Sequence, residues 1–463
     1  MILRNARVGD RLVDLFIEGG ALVASAGGPE LDLAGRWVTP GLWDNHVHFS
    51  QWALVSRRLD LSGATSAKHA AQLVRDGLVT GHPVPFVGYG FRDGLWPDAP
   101  NLTDLDAASG TVPVVLVSAD VHSVWLNTAA LELFGHAGHQ TGLLREDAAF
   151  EIERRIDTLS DAEIDALAAR AASAAAARGV VGIVDLEMAW NLESWQRRAI
   201  DSLRVEFGVY REHLDRAIEL GLHTGQRIDE LLTVGRFKIL IDGSLNTRTA
   251  YCYDEYPGGG HGLLTVEPDE LLPLMTRAWA AGIEPTVHAI GDHATTLALD
   301  AFEAIGCRGR IEHAQLVSEN DLPRFARLGI TASVQPEHAM DDRDVADHYW
   351  DGRAGRSFPL RSLLDAGAEL ALGSDAPVAP LDPWVTMAAA VTRGRGGREP
   401  WHPEQAITPA QALAASTRVA LEVGQAADIV VVDADPADPE ALRGMPVAAT
   451  LVGGRFSYSE LGS

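Results

Sequence analysis

The sequence predicts an α/β fold, a (β/α)8 TIM barrel carrying a small β-sandwich formed by both chain termini. Three observations lead there. A helix–Gly–strand unit recurs through the middle of the chain, polar residues sit at the ends of the resulting strands, and both ends of the chain are β-rich.

The first segment, Met1 to Trp37, alternates short apolar stretches with turns such as Glu18-Gly19-Gly20. The far end has the same texture. Asp428 to Asp433 reads as a strand, and Thr450 to Phe456 as a strand entering a tight turn at Gly453-Gly454. Residues 1–37 and 420–463 are therefore expected to form one composite β-sandwich domain, with the barrel over 38–419.

In the middle, Ala166 to Arg178 meets Gly179 and then an apolar run ending at Asp185. Leu271 to Ala281 meets Gly282 and then Ile283 to His288. Leu322 to Leu328 meets Gly329 and then Ile330 to Val334. Leu360 to Ala366 meets Gly367 and then Ala368 to Asp375. Glycine ends helices because it takes the left-handed conformation without a Cβ penalty. Alternating helices and strands imply a parallel sheet. A doubly wound sheet would gather its chemistry at one crevice, often beside a Gly-rich phosphate loop, and no such loop follows the first strand. A barrel collects residues from many strand ends, as here. The segment 54–178 is too long for one crossover. It holds a predicted strand, Val112 to Val117, and a Pro/Gly/aromatic cluster from Pro83 to Phe91. It is expected to contain a large insertion acting as a lid or side wall.

Bulk composition narrows the function. The chain has 463 residues, 46% hydrophobic and 22% charged, and a formal net charge of −26. That charge argues against nucleic acid as the main partner. The two cysteines, Cys252 and Cys307, exclude a disulfide framework and disfavour a thiolate zinc site. The first residues lack a secretory pattern, and no apolar run approaches the ~18 residues of a membrane helix. The expectation is a cytoplasmic soluble enzyme.

His46 and His48 open the chemistry. On a strand, residues i and i+2 face the same way, so two imidazoles project together. With 16 histidines in 463 residues, about half a His-x-His pair arises by chance, so the motif is either a metal pair or an accident. Lys238 lies within an apolar strand, Phe237 to Ile241. It either snorkels or is carbamylated by carbon dioxide, and a carbamate's two oxygens could bridge two cations. His288 and His313 end successive strands, as structural histidines or as ligands. Asp375 ends another, as a helix cap or as a ligand and base. As a set, four His, one Lys and one Asp suit zinc or another borderline divalent metal. Two metals would bring a bound water's pKa toward neutrality, with Asp375 moving the proton.

The ordered set resembles the amidohydrolase superfamily in its two-metal, carboxylated-lysine form. The strings Pro40 to His48, Val287 to Asp292, Arg310 to Gln315, Ser333 to Pro336, Gly373 to Pro377 and Ala427 to Val431 are similar to one branch. That branch includes N-substituted formamide deformylases and exoenzyme-regulatory-type amidohydrolases. The resemblance spans nearly the whole chain. It implies that His46 and His48 hold the more buried metal, that carboxylated Lys238 bridges, and that His288 and His313 hold the second. Asp375 would bind the first metal and act as base. The implied cofactor is a divalent metal, zinc by expectation, with two ions if Lys238 is carboxylated.

Asp120 to Asn127 resembles a segment of the branch near the active site, making His122 the candidate substrate or oxyanion contact. Tyr89 to Asp93, Trp96, Gln335, His338 and Arg393 lie in matching strings, with His338 expected at a strand end. His136, His139 and His293 read as surface or structural, and Trp401-His402-Pro403 as a loop. The implied activity is hydrolysis of an amide-type C–N bond in a small molecule. Deamination or cyclic-amide hydrolysis at the same site is the alternative, and a non-catalytic regulatory protein on the same fold is the third reading. The aromatics Trp52, Phe86, Tyr89, Phe91, Trp96 and Trp125 either pack the insertion or receive an apolar substituent. A homo-oligomer is compatible with the sequence.

Overall fold

The computed structural model describes residues 1–55, 58–78, 85–156 and 159–461. Pro83 and Val84, at the start of the Pro/Gly/aromatic cluster, lie outside them.

Eight parallel strands follow one another around the core in chain order. They are β1 (Leu42–Val47), β2 (Val180–Asp185), β3 (Arg204–Tyr210), β4 (Leu232–Leu240), β5 (Pro285–Ala289), β6 (Gly309–His313), β7 (Ile330–Val334) and β8 (Leu370–Leu372). Every residue of β1, β2, β5, β6 and β8 is buried. Covered on both faces, such strands read as apolar runs rather than as alternations. The helix–Gly–strand units fold as the sequence implies. Helix Leu322–Leu328 stops at Gly329, whose φ of +66° is left-handed, and β7 starts at the next residue.

Between the first and last strands the seam is made just past β8. Asp375 N donates to His46 O at 2.7 Å, and His48 N donates to Ala376 O at 2.8 Å. Gly373 permits this approach: a Cβ there would lie 2.7 Å from His46 N. The last strand is shorter than the sequence suggests. It ends at Leu372, so Asp375 sits three residues beyond it in the seam.

The two chain ends meet in one eight-stranded sheet. Ile429–Val432 runs antiparallel to Trp37–Pro40, linking the C-terminal strands to the N-terminal ones. Leu3, Ile17, Val38, Ile429, Val431 and Leu451 belong to a separate apolar cluster there.

Within 54–178 lies a five-stranded sheet of Leu59–Asp60, Phe86–Phe91, Val114–Ser118, Ser123–Leu126 and Leu143–Arg145. Its alternating residues serve two apolar clusters. Val115, Val117 and Leu126 pack into one, and Val114, Leu116 and Trp125 into the other. The aromatics singled out in the sequence are spent here. Phe86, Phe91, Trp96 and Trp125 join one cluster and Tyr89 the other, while Trp52 packs on Phe49. None lines the central cavity. Among the described residues, no helix is long and apolar enough to cross a membrane.

A buried charge network links neighbouring barrel strands. Glu206 on β3 accepts from Arg236 at 2.7 Å and from Arg418 at 2.5 Å, and Arg236 also reaches Glu284 at 3.1 Å. Arg418 lies 3.7 Å over the Trp43 ring. Burial opposes ionisation of Glu206, but Arg418, Arg236 and Arg310 outweigh it and hold the carboxyl at about 2. Glu206→Gln strands these guanidinium groups and is expected to cost about 3 kcal/mol. Because the folded carboxyl titrates below its ordinary 4.5, the stability it contributes is complete above that value and disappears as pH falls toward 2. Urea unfolding of both proteins from pH 7 to pH 3 tests this, with the gap between them shrinking over the acid part of the range.

Candidate metal centre

The barrel mouth gathers histidines from three strand ends, those of β1, β5 and β6. Ring centroids of His46 and His48 lie 5.6 Å apart, His46 and His313 5.1 Å, and His288 and His313 4.4 Å. Asp375 Oδ1 sits 3.4 Å from His46 Nε2 and 3.3 Å from His48 Nε2. Lys238, from β4, is 1% exposed. All six sequence-predicted ligand residues line one cavity of about 50 Å³. Among the described residues, His46, His313 and Asp375 place a ligand atom each within 4.8 Å of one another.

Two of these residues are held in unfavourable backbone conformations. His313 has φ +72° and Asp375 φ +58°. For residues with a Cβ, the left-handed region costs on the order of 1–2 kcal/mol. That strain turns both side chains into the cavity from positions where a regular strand would not aim them.

A fixed second layer orients the first. Glu312 Oε2 lies 2.8 Å from His46 Nδ1, and Thr286 Oγ1 donates to Glu312 Oε1 at 2.6 Å. A proton on Nδ1 shared with Glu312 leaves the Nε2 lone pair directed at the cavity. Burial works against the Glu312 charge, but His46 and Lys238 hold its carboxyl far below the usual carboxylate range. Asp242 accepts backbone N–H groups of Ile290 (3.0 Å), Gly291 (2.9 Å) and Tyr251 (2.9 Å), fixing the loop after His288.

Burial pushes the pKa of Lys238, His46, His288 and His313 down, the direction that favours electron-pair donation. Lys238 Nζ, His313 Nδ1 and Asp375 Oδ1 are buried without a hydrogen-bond partner. Buried polar atoms are nearly always paired, so this concentration of orphans is a ligand signature. Imidazole and carboxylate donors converging at these spacings fit a borderline divalent metal.

The opposite wall comes from the insertion. His122 lines the same cavity, its Nδ1 2.8 Å from Glu146 Oε2. Burial disfavours its charge, but Glu146 outweighs burial and the imidazole rises to about 9. Glu146 is anchored in turn by Thr249 Oγ1 at 2.6 Å. Arg92, Gln315 and His338 also line it. His338 does not end a strand, because β7 stops at Val334 and His338 falls in the first turn of helix Pro336–Tyr349. Gln335 lies behind His46, its Nε2 3.3 Å from Nδ1. Arg393 is not at the site; it is fully buried and donates to Trp401 O at 3.1 Å. His293 stacks between Tyr251 and Tyr253, at 4.7 and 4.2 Å. Trp401 is buried, and Pro403–Gln405 forms a short helical turn.

Sequence reasoning missed Glu312 and Glu146. Glu312 carried a usable signal, a carboxylate immediately before a ligand candidate at a strand end. Glu146 carried none, since only folding brings it to His122.

A parallel barrel with histidines and an aspartate converging at its mouth defines the class of metal-dependent hydrolases. The comparisons agree: residues 30–458 match the amidohydrolase family, and the chain belongs to it. It is 30% identical to Protein LONG AFTER FAR-RED 3 of Arabidopsis thaliana, over 93% of this chain and 83% of that one. It is 27% identical to the N-substituted formamide deformylase of Arthrobacter pascens, over 94% and 90%. An uncharacterized metal-dependent hydrolase from Pyrococcus horikoshii superposes with a TM-score of 0.77 at 27% identity, over 94% of this chain and 98% of that one. The family implies a divalent metal and hydrolytic chemistry.

Glu312→Gln keeps the shape but removes the charge that orients His46. Metal affinity, measured by competition with a chromogenic chelator, is expected to fall roughly 10–100-fold with the fold intact by circular dichroism. An unchanged affinity removes Glu312 from the metal site.

Proposed function

We propose that this chain hydrolyses an amide-type C–N bond of a small molecule. The observation that carries the reading is the set of orphaned donor atoms on Lys238, His313 and Asp375, facing one small cavity. The name of the Arthrobacter relative, a formamide deformylase, supports the bond type.

His46, His48 and Asp375 would hold one divalent ion, zinc by donor chemistry, and His288 and His313 a second. Lys238, whose burial pushes its pKa down, would bridge as a carbamate. When bound, divalent metal supplies Lewis acidity toward the carbonyl oxygen and the hydrolytic water. Asp375 takes a proton from the water at its carboxylate and returns it to the departing nitrogen. With Nδ1 engaged by Glu146, His122 presents Nε2–H to the carbonyl oxygen as negative charge builds there. Phe150, Leu245 and Val378 line the cavity and limit water around the reacting carbonyl.

The test is metal analysis and a panel of N-substituted formamides, acetamides and cyclic amides, with separate assays for released amine and ammonia. Stoichiometric divalent metal, loss of turnover on chelation and recovery with zinc are expected. Asp375→Asn is expected to lower kcat by about 10²–10⁴-fold. Ammonia as the released product moves the reading to deamination. Metal-free active protein, or no turnover of any amide by metal-replete protein, sinks it.

A further inference from the structure

His122 comes from the insertion rather than from the barrel, so something has to fix it against the metal ligands. The strands Ser123–Leu126 and Leu143–Arg145 pair with Ser123 opposite Arg145, so His122 and Glu146 leave that sheet side by side. Glu146 N donates to His122 O at 2.9 Å, and the two side chains meet at His122 Nδ1. This corner is strained. Val121 has φ +55° and Glu146 φ +51°. A β-branched residue in the left-handed region is rare and costly, and such strain lasts only where the surroundings over-determine it.

The surroundings here are a loop of the barrel. Residues 243–249 lie just beyond β4, the strand of Lys238, and Gly243 O is 3.4 Å from His288 Nε2. The loop is tied to itself. Thr249 N and Ala250 N both donate to Ser244 O at 2.9 Å, and Ser244 N donates to Thr249 Oγ1 at 3.0 Å. It turns three hydroxyls toward the insertion. Ser244 Oγ donates to Asp120 Oδ2 at 2.8 Å, and Asp120 Oδ1 accepts from His122 N at 3.2 Å. Thr249 Oγ1 donates to Glu146 Oε1 at 2.6 Å, and Thr247 Oγ1 reaches the same oxygen at 3.2 Å. Thr247 Oγ1 also lies 2.9 Å from Ser244 Oγ, which joins the two branches. Each hydroxyl has one proton to give. Ser244 commits its own to Asp120 and Thr249 its own to Glu146, leaving Thr247 to serve either side. Two carboxylates flank His122, one on its backbone and one on its ring, and both are held from the barrel. Hydrogen bonds to ionised groups are the strong ones, and Ser244 and Thr247 are buried away from competing water.

We infer that Ser244, Thr247 and Thr249 are positioning residues: their hydroxyls form a clasp that holds Asp120 and Glu146, keeps the strained corner closed and so aims His122 Nε2 at the reacting carbonyl. The inference deepens the amide-hydrolase reading and rests on it for its kinetic arm only.

Thr247→Val with Thr249→Val removes both hydroxyls from Glu146 at nearly constant side-chain shape, and Thr247→Ser with Thr249→Ser keeps them. On the zinc-restored enzyme the valine pair is expected to lower kcat about tenfold, the worth of one charge-assisted hydrogen bond, with KM and metal content unchanged. The serine pair recovers most of that loss. In a His122→Ala background the valine pair costs nothing further, because the clasp acts through His122. An equal cost in both backgrounds, or a serine pair as slow as the valine pair, overturns the clasp. Ser244→Ala, which frees Asp120 alone, takes the place of the valine pair in the same cycle if that protein does not fold. Crystal structures of the metal-free variants need no turnover. Displacement of the His122 ring in the valine pair but not in the serine pair supports the clasp even if every amide proves inert, an outcome that would fail the hydrolase reading alone. A ring that the valine pair leaves in place overturns it.

Discussion

Two backbone hydrogen bonds at the barrel seam organise most of what this protein can do. Asp375 N to His46 O and His48 N to Ala376 O join the first strand to the segment beyond the last. They complete the circuit of strands. They also bring the Asp375 carboxylate against His46 and His48, residues more than 300 positions earlier in the chain. Ring closure and the pairing of carboxylate with imidazole are therefore one event. Gly373 is the permissive element, since no larger residue fits against the His46 backbone. A barrel that failed to close would lose its central donor set along with its last interface.

The same economy extends to strain. His313 and Asp375 take left-handed backbone conformations, and the buried seam and second layer hold them there. Stored strain of this kind persists only where the surroundings over-determine it. Glu312 shows how: it fixes His46, accepts from Thr286 and faces Lys238, so one carboxylate sets three neighbours at once.

The barrel was legible because its cues are local. Glycine stops, apolar runs and polar strand ends repeat with fixed spacing, and Lys238 stood out as a charge in an apolar strand. Asp375 was found, but its strand was drawn too long, because Gly373 and Ser374 carry no residue that forbids extended pairing and the break after Leu372 is set by the seam. His338 was misplaced for a related reason: Pro336 was read as ending a strand, whereas it begins a helix. The aromatics of the insertion left two readings open in sequence, and packing is the one the structure shows. Their alternation reflects packing on the two faces of a separate sheet, which leaves none for the cavity. Glu146 and the hydroxyl clasp were out of reach, since both depend on how the insertion docks against the barrel.

The terminal sheet has a consequence for how the protein is made. Trp37–Pro40 pairs with Ile429–Val432, some 390 residues later. At roughly 5–20 residues per second, a ribosome needs on the order of 20–80 s to deliver that partner. Throughout that interval the N-terminal strands carry an open hydrogen-bonding edge, and the barrel lacks its closing segment for nearly as long. Long-range pairing of this kind folds late and invites association with other chains. Expression yield should therefore depend on the rate of synthesis and on chaperone supply more than on the stability of the finished fold.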